Sequence, residues 1–344
     1  MAVFYYFLKE KDFPAFFKKL LKKGEVYGPK AKGDFFVFDK LKKLEELRLD
    51  YDVTILPPKK IISPPEETLL HFSKEGAQSP KEVEEKVLFG VHFYDIKAID
   101  MLDLLFQENF PDSIYLSKRK KTTIIGSSIE RISKRAFWGS VGKHIGPQGH
   151  DGFFTKIKDG YLYETLTEKG EKLLKYGEFQ PANSDQIKEA KKKNKEIMEK
   201  CPEKLIWDSS TIAKTVRENF KSPLWEILSK KCFSCGTCNM VCPTCYCFDV
   251  QDYFNFDGET GTRKRHWDGC LLEDFAKITL GGGACENFRG KRYERYRHRA
   301  MRKTAYLNTK LGGPACVGCG RCSMQCVPDI ADPVNIIKSF MEVK

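Results

Sequence analysis

Eight of the thirteen cysteines in this 344-residue chain fall into two runs of the same spacing. The first is Cys232-x2-Cys235-x2-Cys238-x3-Cys242, followed by Pro243; the second is Cys316-x2-Cys319-x2-Cys322-x3-Cys326, followed by Val327-Pro328. Thiolates are soft ligands suited to iron and sulfide, and a Cys-x2-Cys-x2-Cys loop lets three sulfurs reach three irons of one cube. The fourth cysteine of such a run crosses to the other cluster. The spacing therefore assigns Cys232, Cys235, Cys238 and Cys326 to one [4Fe–4S] cluster, and Cys316, Cys319, Cys322 and Cys242 to a second. Two such centres in one small domain have a common use, the passage of single electrons. Zinc also takes Cys-x2-Cys, but its sites are built from two pairs rather than a triplet with a fourth cysteine beside proline.

Five cysteines remain: Cys201, Cys245, Cys247, Cys270 and Cys285. Cys201 stands alone before Pro202 and reads as an ordinary side chain. The other four lie in or beside the cluster segment, and four thiolates suffice for a third metal centre. The alternative is that they are small buried side chains packed around the first two clusters. The six histidines (His71, His92, His144, His150, His266 and His298) are scattered, and none stands at ligand spacing from a cysteine or carboxylate. His92, closing an apolar run, is expected in the core. The chain has no G-x-G-x-x-G, no phosphate-loop motif and no G-x-S-x-G, so no catalytic residue and no bound dinucleotide is indicated.

Around these cysteines the chain reads as two domains and a connector. Residues 1–185 contain no cysteine and alternate strand and helix signals, the mark of an α/β domain, here assigned to partner docking. A strand opens it. A helix follows over Asp12–Lys23, with Phe13, Phe16, Phe17, Leu20 and Leu21 on one side. Short strands are expected near Val26-Tyr27 and over Phe35–Phe38, and a buried strand over Val87–Phe93. The next helix, Asp95–Phe106, is expected to be capped by Asp95. Thr122–Gly126 reads as another buried strand, and Gly152–Thr167 as a hairpin turning at Asp159-Gly160. Residues 186–230 form a helical connector, with a charged helix over Ile187–Lys200 and a second opened by Ser222-Pro223. Residues 231–344 are the α+β, ferredoxin-like two-cluster domain, with an insertion of about 248–314 between its motifs. The insertion carries Trp267-Asp268-Gly269-Cys270, a turn at Gly281–Gly283 and a basic helix.

That basic helix, Arg289–Lys303, reads RGKRYERYRHRAMRK, and the whole chain carries a formal charge of +12. Arginine interleaved with tyrosine can bind a phosphate backbone. Its place between two cluster motifs favours a helix whose basic face is solvated or meets an acidic partner protein. A zinc-containing nucleic-acid module is thus the weaker reading. No apolar run reaches the roughly 18 residues of a membrane span, and the charged start is no secretory signal, so a cytoplasmic protein is expected. Thirteen cysteines in a reducing compartment point to metal ligands rather than disulfides.

Cys242-Pro-Thr-Cys-Tyr-Cys-Phe-Asp-Val250, Trp267-Asp-Gly-Cys270 and Cys316-Val-Gly-Cys-Gly-Arg-Cys322 are similar to the β subunit of cytoplasmic sulfhydrogenases ([NiFe] hydrogenases) and to the dicluster iron–sulfur subunit of anaerobic sulfite reductase. The resemblance runs upstream through Leu56-Pro-Pro-Lys-Lys60, Phe89-Gly-Val-His92 and Asp151-Gly-Phe153, and so covers nearly the whole chain. It implies an electron-transfer subunit between a flavoprotein that oxidises NAD(P)H and a catalytic redox subunit. An adaptor of a heterodisulfide reductase or formate dehydrogenase complex is the alternative. A self-contained enzyme with a substrate site at an extra cluster is a third. The family also implies four N-terminal cysteines, at positions that match Tyr94, Ile129, Arg135 and Phe137 here, and the bulk of these replacements suggests a filled site. Arg321, inside the second motif, is expected to stabilise a reduced cluster and raise its potential.

Overall fold

The computed structural model describes residues 3–22, 24–80, 83–141 and 149–342; Met1, Ala2, Lys23 and His144 lie outside the described residues. Contacts divide the chain into two units. The first comprises Met1–Pro58, Val83–Glu203 and Val317–Cys319; the second comprises Lys59–Glu82, Lys204–Cys316 and Gly320–Lys344.

The first unit is built on an eight-stranded mixed sheet. Its order is Gln180–Pro181, Phe4–Lys9, Gly160–Thr165, Gly152–Ile157, Thr122–Ser127, Lys86–Val91, Glu25–Lys32 and Phe35–Lys40. Pairing is parallel from Glu25–Lys32 through Lys86–Val91 and Thr122–Ser127 to Gly152–Ile157, and antiparallel elsewhere. The expected hairpin is present: Ile157 faces Gly160, and Asp159 turns the chain with a φ of +62°. The helix Phe13–Leu21 lays Phe13, Phe16, Phe17 and Leu20 against the sheet, the i, i+3, i+4, i+7 stripe of its sequence. Its aromatic rings meet those of the strands. Phe154 lies 5.6 Å from Phe16, 5.4 Å from Phe89 and 4.4 Å from Tyr163, centroid to centroid.

One cap differs from expectation. The helix Phe93–Gln107 is led by His92 in extended conformation, and Asp95 lies within its first turn, buried. The strand stops at Val91, short of the expected run, because His92 already leads the helix. His92 is a core residue: it is fully buried, its ring stacks on Tyr51 at 3.8 Å and its Nδ1 meets the Tyr94 hydroxyl at 2.9 Å. The charged helix Ser184–Glu199 is set by an Asn183–Gln186 capping box and buries only Ala190.

In the second unit, a four-stranded antiparallel sheet runs Phe248–Phe254, Gly261–Trp267, Glu66–Ser73 and Gly76–Gln78. The segment Lys59–Glu82, expected with residues 1–185, packs here instead. Its strand Glu66–Ser73 pairs with Gly261–Trp267, and Glu67 receives the guanidinium of Arg265, Nε to Oε1 at 2.9 Å, with both side chains buried. The unit also holds the helices Ser209–Glu218, Leu224–Ser229, Arg292–Met301 and Pro333–Met341; Trp225 joins the last three, its ring 4.3 Å from that of Phe340 and 6.4 Å from that of Tyr296. No helix among the described residues is long and apolar enough to cross a membrane.

Phe154 is the hub of the first core. Phe154→Ala is expected to cost about 3–5 kcal/mol in denaturant unfolding, and a cost below about 1 kcal/mol would contradict this packing account.

Candidate iron–sulfur site

The two cysteine loops share a backbone form. In each, a residue with positive φ stands immediately before and immediately after the middle cysteine: Ser234 (+53°) and Gly236 (+72°) around Cys235, Gly318 (+67°) and Gly320 (+78°) around Cys319. Alternating right- and left-handed residues curl a chain and turn successive N–H groups inward, a form that suits anionic sulfur. Glycine takes that conformation without strain, which is why three of the four positions hold it. A short helix follows each loop, Thr237–Met240 and Arg321–Met324. The Ser234 N–H donates to the Cys232 sulfur at 3.4 Å.

Cys232, Cys235 and Cys238 share one cavity with Cys326, which comes from the other run. Phe233, Leu271, Tyr296 and Val327 give it a largely apolar wall. Three cysteines of the first run and one of the second thus line a single cavity. Of the second set, Cys242 and Cys322 lie within each other's field, and Cys242 and Cys316 both lie within that of Lys303. Cys319 is buried and groups with the first unit, where Gly318 O accepts from Phe137 N at 2.8 Å.

The leftover cysteines divide. Asn239 Nδ2 donates to Cys270 Sγ at 3.3 Å and reaches Cys245 Sγ at 3.6 Å, while Cys247 lies within the field of Cys270. Burial and that neighbouring sulfur push the Cys247 thiol up to about 11. Cys245 donates to Cys242, which lowers the Cys242 thiol well below its ordinary range. Cys285 sits apart in character, exposed on the small antiparallel ribbon Lys277–Thr279 and Cys285–Asn287. Cys201 is an ordinary buried side chain whose thiol donates to Ala136 O at 3.0 Å.

The basic segment is the main departure from the sequence reading. It forms the helix Arg292–Met301 and a widened turn, Arg302–Tyr306. Its cations at i, i+4 and i+8 are not solvated: Arg295, Arg299 and Lys303 are 4%, 3% and 6% exposed. The helix repeat falls short of four residues per turn, so this stripe drifts around the helix; the widened turn offsets the drift and returns Lys303 to the inner face. Arg295 donates to Ser234 Oγ at 3.3 Å, beside the first loop. Lys303 Nζ donates to Thr244 Oγ1 at 2.7 Å, and that hydroxyl meets the Cys242 sulfur at 3.3 Å. Burial opposes the charge of Lys303, but the Cys242 and Cys245 sulfurs outweigh it and hold the ammonium protonated. Lys59, from the strand-bearing segment, donates to Cys245 O and stands 4.4 Å over the Trp267 ring. Burial brings its pKa down to about 8 against the pull of Cys245, Cys242 and Cys247. With three of its cations buried, the helix has correspondingly fewer to offer a phosphate backbone. Arg321 is fully buried as well.

This donor set fits an iron–sulfur cube: sulfurs from both runs, an apolar wall, one backbone N–H on a ligand sulfur and buried positive charge. Residues 231–330 match the 4Fe–4S dicluster domain family. Over 337 residues the chain is 34% identical to sulfhydrogenase 2 subunit beta of Pyrococcus furiosus, covering 97% of this chain and 98% of that protein. The chain belongs to the sulfhydrogenase β-subunit family. No solved structure matches it. In this family member, the four positions without their expected cysteines hold packed side chains. Tyr94, Ile129 and Phe137 are buried, Tyr94 stacks on Trp138 at 5.6 Å, and Arg135 pairs with Glu203 at 3.7 Å.

The left-handed position at Gly318 is also a close approach, since a Cβ there would lie 2.5 Å from Trp138 N. Gly318→Ala is expected to destabilise the protein by more than the about 1–2 kcal/mol of left-handed strain alone, and to lower bound iron. Wild-type melting temperature and iron content in this variant would contradict the role given to the loop.

Proposed function

We propose that this chain is the iron–sulfur electron-transfer subunit of an oxidoreductase complex. It relays single electrons between a flavin- and NAD(P)H-binding subunit and a catalytic subunit, for which the sulfhydrogenase relative favours the [NiFe] hydrogenase type over the sulfite reductase type. The observation that carries the reading is the shared cavity of Cys232, Cys235, Cys238 and Cys326. In this reading those four residues hold one cluster, and Cys316, Cys319, Cys322 and Cys242 hold the other. The first unit, with its broad sheet and no ligand-bearing loop other than Val317–Cys319, serves for docking partners in the cytoplasm.

Each bound cluster supplies a one-electron couple at a fixed place. The protein's own groups do the rest. Buried Leu271 and Tyr296 keep water from one side of the first cage, and Tyr296 is held by its hydroxyl, which donates to Ile330 O at 2.6 Å. Ser234 N–H, Asn239 and Thr244 make hydrogen bonds with ligand or neighbouring sulfurs, which favours their anionic form. The buried cations Arg295, Arg299 and Lys303 offset the negative charge that accumulates on reduction.

A second reading adds a third centre on Cys245, Cys247, Cys270 and Cys285, favoured by Asn239, which reaches Cys245 and Cys270, and by Cys247, which lies within the field of Cys270. Cys285, on its exposed ribbon, is its weakest member.

Iron and sulfide analysis tests both readings. Two clusters predict a brown protein with about eight irons, and a third centre predicts about twelve. Cys326→Ser and Cys242→Ser are each expected to lose iron. Cys285→Ser is expected to keep the wild-type content, and Cys270→Ser loses about four irons only where a third cluster is present. Colourless protein containing zinc would contradict the proposal.

A further inference from the structure

A buried arginine normally lies against a carboxylate, because an uncompensated charge in the protein interior is costly. Arg299 is 3% exposed, and among the described residues no carboxylate forms an ion pair with it. What surrounds it is sulfur. Its Nη2 lies 3.4 Å from the carbonyl oxygen of Cys238, a member of the first ligand set. It also lies within the field of Cys322 and Cys242, both members of the second set. Its neighbours on the same helix face serve one side each. Arg295 bonds to Ser234 in the first loop, whereas Lys303 lies within the field of Cys242, Cys245 and Cys316.

We propose that Arg299 is an electrostatic bridge between the two cluster sites. It stabilises the reduced form of both. The inference rests on the two-cluster reading above and goes beyond it. A cluster with four thiolates is a net anion and gains a further negative charge when one electron enters, with no bond made or broken. A cation held between two such anions lowers the energy of each reduced state. It lowers that of the doubly reduced state most, because there it offsets charge on both sides. Guanidinium suits the position because its donors spread in a plane and point in several directions, while its charge persists at any accessible pH.

The test uses the full-length holoprotein with Arg299→Gln and Arg299→Lys variants, iron analysis and an EPR-monitored redox titration. About eight irons in the wild type establish the underlying reading independently of Arg299, and a different count overturns that reading rather than this one. In an Arg299→Gln protein with full iron content, the reduced-to-oxidised ratio at the wild-type midpoint is expected to fall about tenfold at each cluster, equivalent to about 59 mV for one electron. Both midpoints are expected to move in the same direction. Arg299→Lys, which keeps the charge, is expected to stay close to wild type at both clusters. Unchanged midpoints in iron-replete Arg299→Gln, or a shift confined to one cluster, would overturn the bridge. Should the Gln variant lose its iron, the Lys variant decides: a tenfold fall there would show that charge at this position is not what sets the potentials.

Discussion

The second unit depends on one confrontation, buried positive charge against buried sulfur. Arg295, Arg299, Lys303 and Lys59 are each at most 6% exposed, and removing a cation from water costs several kcal/mol even after relaxation. What offsets that cost is sulfur: the cysteines around Arg299 and Lys303 favour their charged forms against burial. Cluster ligation requires the thiolate form of those same cysteines. The cations thus act as structural elements as much as electronic ones.

The rest of the architecture holds that confrontation in place. The Arg265–Glu67 pair ties the segment bearing Lys59 to the strand that leads to Trp267 and Cys270. Trp225, between Tyr296 and Phe340, fixes the basic helix against its neighbours. The widened turn at Arg302–Tyr306 lets one helix present three cations on one face. In the first unit, the aromatic core beneath the eight-stranded sheet and the packed side chains at Tyr94, Ile129 and Phe137 make a solid body with no cysteine but Cys201 and Cys319.

The cysteine runs were legible because cluster ligation imposes a spacing that survives in one dimension, and the helix and strand periods of the first unit were legible for the same reason. The basic helix was not. A run of arginines looks the same whether its face meets water or thiolate, and the i, i+4, i+8 register of Arg295, Arg299 and Lys303 was its only clue. Residues Lys59–Glu82 were misplaced because strand pairing between Glu66–Ser73 and Gly261–Trp267 is a long-range contact without a local signature. Asp95 resembled a cap because the helix starts at Phe93, a few residues earlier than expected, with His92 leading it. The glycine after each middle cysteine, Gly236 and Gly320, was a readable sign of the left-handed turn.

The central claim is that the two runs exchange their fourth ligands, so that neither cluster site is complete without the other run. Anomalous diffraction at the iron absorption edge from crystals of the holoprotein tests it most directly. The account predicts iron density bonded to Cys232, Cys235, Cys238 and Cys326, and separate density bonded to Cys316, Cys319, Cys322 and Cys242. Iron bound to all four cysteines of a single run, or a zinc edge in place of iron, would contradict it.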